Sequence, residues 1–158
     1  MDRIKIKEHV VRTLKQLVGA VPYAITGDYP EETKTTHVAV SIRGETPILG
    51  EMSSLLDRNE YTGQETRMYI HNVLIGITAY GPVDEETTSI IDGIRTAINQ
   101  GRNRFLSQDL GITRIMGLSG VSSPAITEGG GRKTWATTIS LNIQVAEIID
   151  TALPEQQG

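Results

Sequence analysis

Three histidines, His9, His37 and His71, are the side chains whose ordinary charge change falls nearest neutral pH. No two of them lie three or four residues apart, and none stands at zinc-ligand spacing from a carboxylate pair. His71 sits on the mostly apolar face of an alternating segment, where a satisfied structural histidine is the expected role. Cysteine is absent. That removes disulfides, thiolate metal sites, iron–sulfur clusters and cysteine nucleophiles together. Gly129-Gly130-Gly131-Arg132-Lys133-Thr134 ends like a phosphate-binding loop. Such a loop needs glycine directly before its lysine and a helix directly after, because backbone amides at a helix N-terminus hold the phosphates. Here Arg132 precedes the lysine and a strand pattern follows, so the segment reads as a glycine turn with a basic base. Gly117-Leu118-Ser119-Gly120 mimics a nucleophile elbow but is one residue short and lacks the strand–turn–helix context; its glycines mark a bulge or a bend. The carboxylate groups Glu31-Glu32 and Asp84-Glu85-Glu86 fall in polar loops or a helix first turn. A general acid and base would need one carboxylate held in an apolar site. None of these residues announces a catalytic, metal or cofactor site by a linear motif.

The elements that carry these residues are legible from periodicity. Ile4, Val10, Val11, Leu14, Leu17 and Val18 recur at helical spacing after Asp2, a cap residue, and before Gly19 and Pro22. Residues 23–35 read as a loop. Val38, Val40 and Ile42 alternate as a half-buried strand. Residues 44–66 hold no clear element, only the apolar pairs Ile48-Leu49 and Leu55-Leu56 and a polar tip from Asn59 to Gln64; they read as a protruding hairpin or ordered arm. Arg67 to Tyr80 is a strand with Tyr69, His71, Val73, Ile75 and Ile77 on one face. Met68, Ile70, Asn72, Leu74 and Thr78 lie on the other, and two partly apolar faces predict a central strand. After Gly81-Pro82, Asp84 is the expected cap of a second helix with Ile90, Ile91, Ile94, Ala97 and Ile98 as its stripe, ending near Gly101 or Phe105. A weaker strand covers Ile112 to Val121, a glycine-rich loop Ser122 to Lys133. The last strand alternates cleanly from Trp135 to Val145, with one dry face and one wet face. Residues 148–158 read as a flexible acidic tail. The sum is a single α+β domain over residues 1–158: a two-layer sandwich, a mostly antiparallel sheet with the N-terminal helix and the second helix packed on it.

Composition sets outer limits. The 158 residues carry a net charge of −4, with 38% hydrophobic, 22% charged and 4% aromatic residues. These proportions belong to a folded chain. They do not suit a general nucleic-acid binder, which is basic and uses aromatic stacking. There is no apolar run long enough to span a membrane, and the charged start, Met1-Asp2-Arg3-Ile4-Lys5, lacks a secretory signal's apolar stretch. Charge is unevenly spread. Residues 1–20 hold five bases and two acids (5 − 2 = +3), and residues 27–66 hold three bases and eight acids (3 − 8 = −5). Opposite charge on two parts of one surface suits head-to-tail association, which closes into rings; ordinary solvated surface is the plain alternative.

Several segments together resemble a known family. They are the long strand ending in Ile75-Gly76-Ile77-Thr78-Ala79-Tyr80-Gly81, the acid-started helix from Asp84 to Ile98, Phe105-Leu106, the glycine-marked strand Ile112 to Leu118, and the long alternating strand from Trp135 to Val145. In this pattern the chain resembles the tail terminator, or neck terminator, proteins of long-tailed bacteriophages, also called tail-completion or tail-to-head joining proteins. The resemblance covers residues 67–147 well and the first half loosely. It implies a structural virion protein, not an enzyme, with no catalytic residue, metal or cofactor, that forms a ring, expected as a hexamer. The ring caps the tail tube, ends its polymerisation and joins the tail to the head connector or stopper protein. DNA passes through the lumen without specific binding, and no membrane is involved. The expected location is the neck or tail of the virion, and the host cytoplasm during assembly. The contacting segments expected on this reading are the arm tip (Asn59, Glu60, Tyr61, Gln64, Glu65) and the glycine loop (Glu128, Arg132, Lys133). The alternatives are a head-completion or stopper protein, and a small oligomeric enzyme or ligand-binding domain with its site at a subunit interface.

Overall fold

The computed structural model describes residues 1–27, 35–47, 54–120, 125–129 and 132–152. Helix α1 spans Arg3–Val18 and is followed by β1 (Ala24–Gly27), β2 (His37–Pro47), β3 (Ser54–Asn59) and β4 (Gln64–Gly81). Helix α2 (Asp84–Gly101) runs into a 3-10 turn, Arg102–Phe105, and β5 (Ile112–Ser119), β6 (Ala125–Gly129) and β7 (Arg132–Ala152) complete the chain. The strands form one seven-stranded sheet in the order β1-β2-β4-β7-β5, with β3 beside β4 and β6 beside β7. Among the described residues only β1 and β2 pair in parallel; every other pairing is antiparallel. This is the expected α+β architecture.

The core forms between the two helices and one face of the sheet. Ile6, Val10 and Leu14 of α1 and Ile91, Ile94 and Ile98 of α2 are buried against Val38 and Val40, Val73 to Ala79 at odd positions, and Ile139 to Val145 at odd positions. The period-two stripes of β4 and β7 meet rung by rung, Val73 opposite Ile143, Ile75 opposite Leu141 and Ile77 opposite Ile139. The first helix differs from expectation at one position. Ile4 is 66% exposed and Ile6 takes its place in the stripe. Asp2 caps α1 as expected, accepting from the Lys5 amide at 3.1 Å, and Gly19 ends it at φ 71°. Asp84 does not cap α2. Val83 holds the cap position, and Asp84 is the first helical residue with its Oδ1 buried and without a hydrogen-bond partner. The turn is secured instead by Thr87, whose hydroxyl donates to Asp84 O at 2.9 Å and lies 3.0 Å from the Thr137 hydroxyl of β7.

Length decides the outline. The 18 residues of β4 reach about 60 Å, whereas the 18 residues of α2 reach about 27 Å. The helices therefore cannot cover the long strands. Buried core positions on β4 begin at Val73 and on β7 end at Val145. Beyond them β3, residues 64–72 of β4 and residues 146–152 of β7 continue as a three-stranded arm.

Several boundaries move from their expected places. The segment expected as an arm at 44–66 divides: β2 runs on to Pro47, and β3 forms a hairpin with β4 through the turn at 60–63. β2 and β3 follow one another along the same side of β4 in the same direction, with Pro47 opposite His71 and Ser54 opposite Met68. The glycine-rich loop contains a strand, β6, so that it is a hairpin with β7. The expected loop at 23–35 begins with β1. The expected acidic tail is strand through residues 148–152, paired with residues 64–68. Residues 28–34, Ile48-Leu49, Gly130-Gly131 and the tail beyond Ala152 lie outside the described residues.

Candidate functional site

The arm tip is built by one side chain. Asn59 Oδ1 accepts from the amides of Tyr61 at 3.0 Å and Thr62 at 3.2 Å, an Asx turn that replaces backbone bonds. Gly63 completes it at φ 69°, a conformation that favours glycine. The result pushes Tyr61 fully into solvent, at 103% relative exposure. Glu60 and Gln64 are exposed beside it, and Glu65 is half-buried against the Arg67 guanidinium. The five tip residues expected from the sequence are thus brought together. Exposed tyrosine on a rigid turn offers large contact area at low entropic cost.

The other expected residues stand elsewhere. In the β6–β7 hairpin Glu128 pairs with Lys133 and Gly129 with Arg132. β7 starts at Arg132 and its far end pairs with Gln64, Ala152 being the partner. Twenty-one residues of strand span about 65 to 70 Å. The two expected segments therefore occupy opposite ends of the same strand axis, and they form two surfaces rather than one site.

A third cluster, unforeseen in the sequence, lies where the helices stop and the arm begins. His71 of β4 is flanked by Glu45 of β2, 3.4 Å from Nδ1, and Glu147 of β7, 3.2 Å from Nε2. The Met1 amino group lies 2.5 Å from Glu147 Oε1. Arg3 donates to Glu45 Oε2 through Nε at 2.9 Å and Nη2 at 2.6 Å. Hydrogen bonding and charge from the Met1 amino group, with a smaller share from His71, hold the Glu147 carboxyl below the ordinary glutamate range. An ionised carboxylate held between an amino group and an imidazole is a clasp, not a general acid. It joins α1 to three strands. No linear motif announces it, because residues 1, 3, 45, 71 and 147 meet only after the sheet has formed. His71 is satisfied, as expected. Among the described residues no group of three or more His, Asp or Glu could hold a metal ion. The two motif mimics also resolve into structure: a strand follows Lys133, and Gly117, at φ 137°, sits at a register shift in β5.

No described protein family matches the chain by sequence, and no curated protein does. Solved structures do match in shape. The sheath/tube terminator of an extracellular contractile injection system, the PVC, in its extended state superposes with a TM-score of 0.53 at 14% identity. That match covers 100% of this chain and 62% of the terminator, so the chain spans less than two thirds of its length. A chain of the native gene transfer agent (GTA) virion matches 85% of this chain and 84% of its own at 14% identity, with a TM-score of 0.31; that likeness is too loose to bear on function. The two-helix, long-stranded sheet described above is accordingly a fold shared with a sheath/tube terminator.

Proposed function

We propose that this chain is a tail terminator. Copies form a ring, a hexamer on this reading, that caps a finished tail tube, stops its growth and joins it to the head-side connector. The observation that carries the proposal is the double-ended sheet. The arm tip with Tyr61 and the β6–β7 hairpin point to opposite ends of one strand axis, which suits a part that must grip two different neighbours. The fold shared with a sheath/tube terminator supports the same role. Tube subunits add to an exposed end through extended segments and open strand edges; a terminator presents one compatible end and one incompatible end, and addition stops. No bond is made or broken, so the protein works without a catalytic group or cofactor. DNA passes along the lumen unbound. Six copies at −4 sum to about −24, a field that discourages phosphate adhesion. The protein accordingly resides at the neck or tail of the virion after assembly in the host cytoplasm.

Imaging of the purified protein, alone and mixed with tail tubes, tests this. The expected result is rings of uniform diameter on one end of each tube, and tubes that no longer lengthen when fresh tube subunits are added. Binding to head-side connector but never to tubes would instead identify a stopper, and tubes that keep growing in excess protein would overturn the capping role.

A further inference from the structure

β1 stops at Gly27, opposite Val40, while β2 continues to Pro47. From Ser41 to Glu45 the outer edge of β2 has no strand beside it among the described residues. Between that edge and α1 lies a hollow of about 470 Å³ bordered by Arg3, Ile4 and Lys7. A second hollow, of about 300 Å³, continues along the helix past Val11, Arg12 and Lys15. The side chains of α1 and β2 that border the two, apart from Arg43, include four bases (Arg3, Lys7, Arg12, Lys15) and two acids (Glu8, Glu45), 4 − 2 = +2. Arg43 is excluded because its stem lies across Gly76, on the sheet face away from the helices. The groove is thus basic, with the exposed Ile4 at one end.

The arm carries the counterpart. Asp57 pairs with Thr66 and Thr66 with Asp150, so one row of the helix-free face holds two exposed acids. The Thr66 hydroxyl donates to Asp150 Oδ1 at 2.5 Å. In the next row Met68 lies opposite Ile148, which is 64% exposed. The same chain therefore carries an acidic row beside an exposed isoleucine on its arm and, apart from it, a basic groove beside an exposed isoleucine at α1. Ile4 stands about 12 Å from Arg12 and about 16 Å from Lys15 along the helix, and the Ile148 row about 7 Å from the Asp150 row along the strand, so the long Arg12 and Lys15 side chains must lean back toward the helix N-terminus, the direction helical side chains take, to reach the acids.

We infer that the helix-free face of one copy's arm seats in the α1 groove of a second copy. Asp57 and Asp150 meet Arg12 and Lys15, and Ile148 covers Ile4. Groove and arm are different surfaces, so the contact is heterologous and repeats head to tail until it closes. The inference deepens the ring reading and depends on it only for closure. It leaves Tyr61 and the tip free for the tube.

Charge exchange tests it, read by sedimentation velocity of the full chain at low and high salt, with circular dichroism as the folding control. Arg12→Glu/Lys15→Glu and Asp57→Lys/Asp150→Lys should each weaken self-association at least tenfold. An equimolar mixture of the two, and a chain carrying all four changes, should return to within a few-fold of the parent. Ile148→Ser, which leaves charge untouched, should weaken association as well. Half-exchanged variants that assemble like the parent, a fourfold variant as weak as either half, or a parent that stays monomeric alone and on tubes would each overturn the interface. Parent rings on tubes that ignore every exchange would overturn the interface and leave the terminator reading standing. Exchange and rescue in a protein that never binds tubes would do the reverse.

Discussion

At the scale of single residues, Glu147 and Gly111 have the clearest consequences. Glu147 is ionised beside the Met1 amino group and His71, and its carboxyl is held below its ordinary value. A carboxylate lowered on folding stabilises the folded state above its unfolded value, and that contribution is lost as pH falls through the folded one. Glu147→Gln should therefore cost about 1 kcal/mol or less at pH 7, as a partly exposed ion pair. The gap from the parent should close in acid, below the ordinary glutamate value, when urea midpoints are compared across pH. Gly111 is more severe. Its φ is 73°, and a Cβ there would lie 2.2 Å from Ala146 O. A left-handed conformation costs an L-residue about 1–2 kcal/mol before any clash. Gly111→Ala should thus lose more than about 2 kcal/mol by urea denaturation. The loss should center on β5, because Gly111 O accepts from the Ala146 amide at 2.8 Å where β5 joins β7.

At the scale of elements, the sequence was readable wherever one face met the core. The alternation from Trp135 to Val145 and from Val73 to Ala79 exists because odd positions are buried there and even ones are not. The same rule explains the misses. Past Val145 neither face is covered by a helix, so Glu147 to Ala152 shows no alternation although it is strand. A two-sided solvated strand leaves no period to read. β6 was hidden by its glycine-rich surroundings, and β1, at four residues, is too short to carry a pattern. The apolar residues on the even face of β4 did predict a central strand correctly, for a partly different reason: Met68, Ile70 and Leu74 are half-buried on a face without helices, not packed in a second core. The tip residues were legible as a polar turn. Their distance from Glu128, Arg132 and Lys133 was not, because it depends on pairing between segments more than fifty residues apart in the chain. The clasp at His71 was invisible for the same reason.

At the scale of the whole molecule, the two ends of the sheet lie beyond the helix-covered core. Among the residues of β7 whose burial is described, Thr137 is the first buried one, beyond the β6–β7 hairpin. Arg132→Glu/Lys133→Glu should accordingly keep the parent's thermal midpoint to within a few degrees. On the proposed terminator reading it should reduce docking at that end by tenfold or more, measured by pull-down with tube and with connector protein in parallel. Unchanged docking at both would mean that the hairpin is not a contact. The long ladder between β4 and β7 bears on mechanics too. Its eighteen rungs, Gln64 with Ala152 through Gly81 with Trp135, carry hydrogen bonds that lie across the strands. Traction between the Tyr61 turn and the Gly129 end of the β6–β7 hairpin would run along those strands and strain the rungs in parallel instead of unzipping them singly. A chain so constructed resists being stretched along its strands far better than being peeled from one edge.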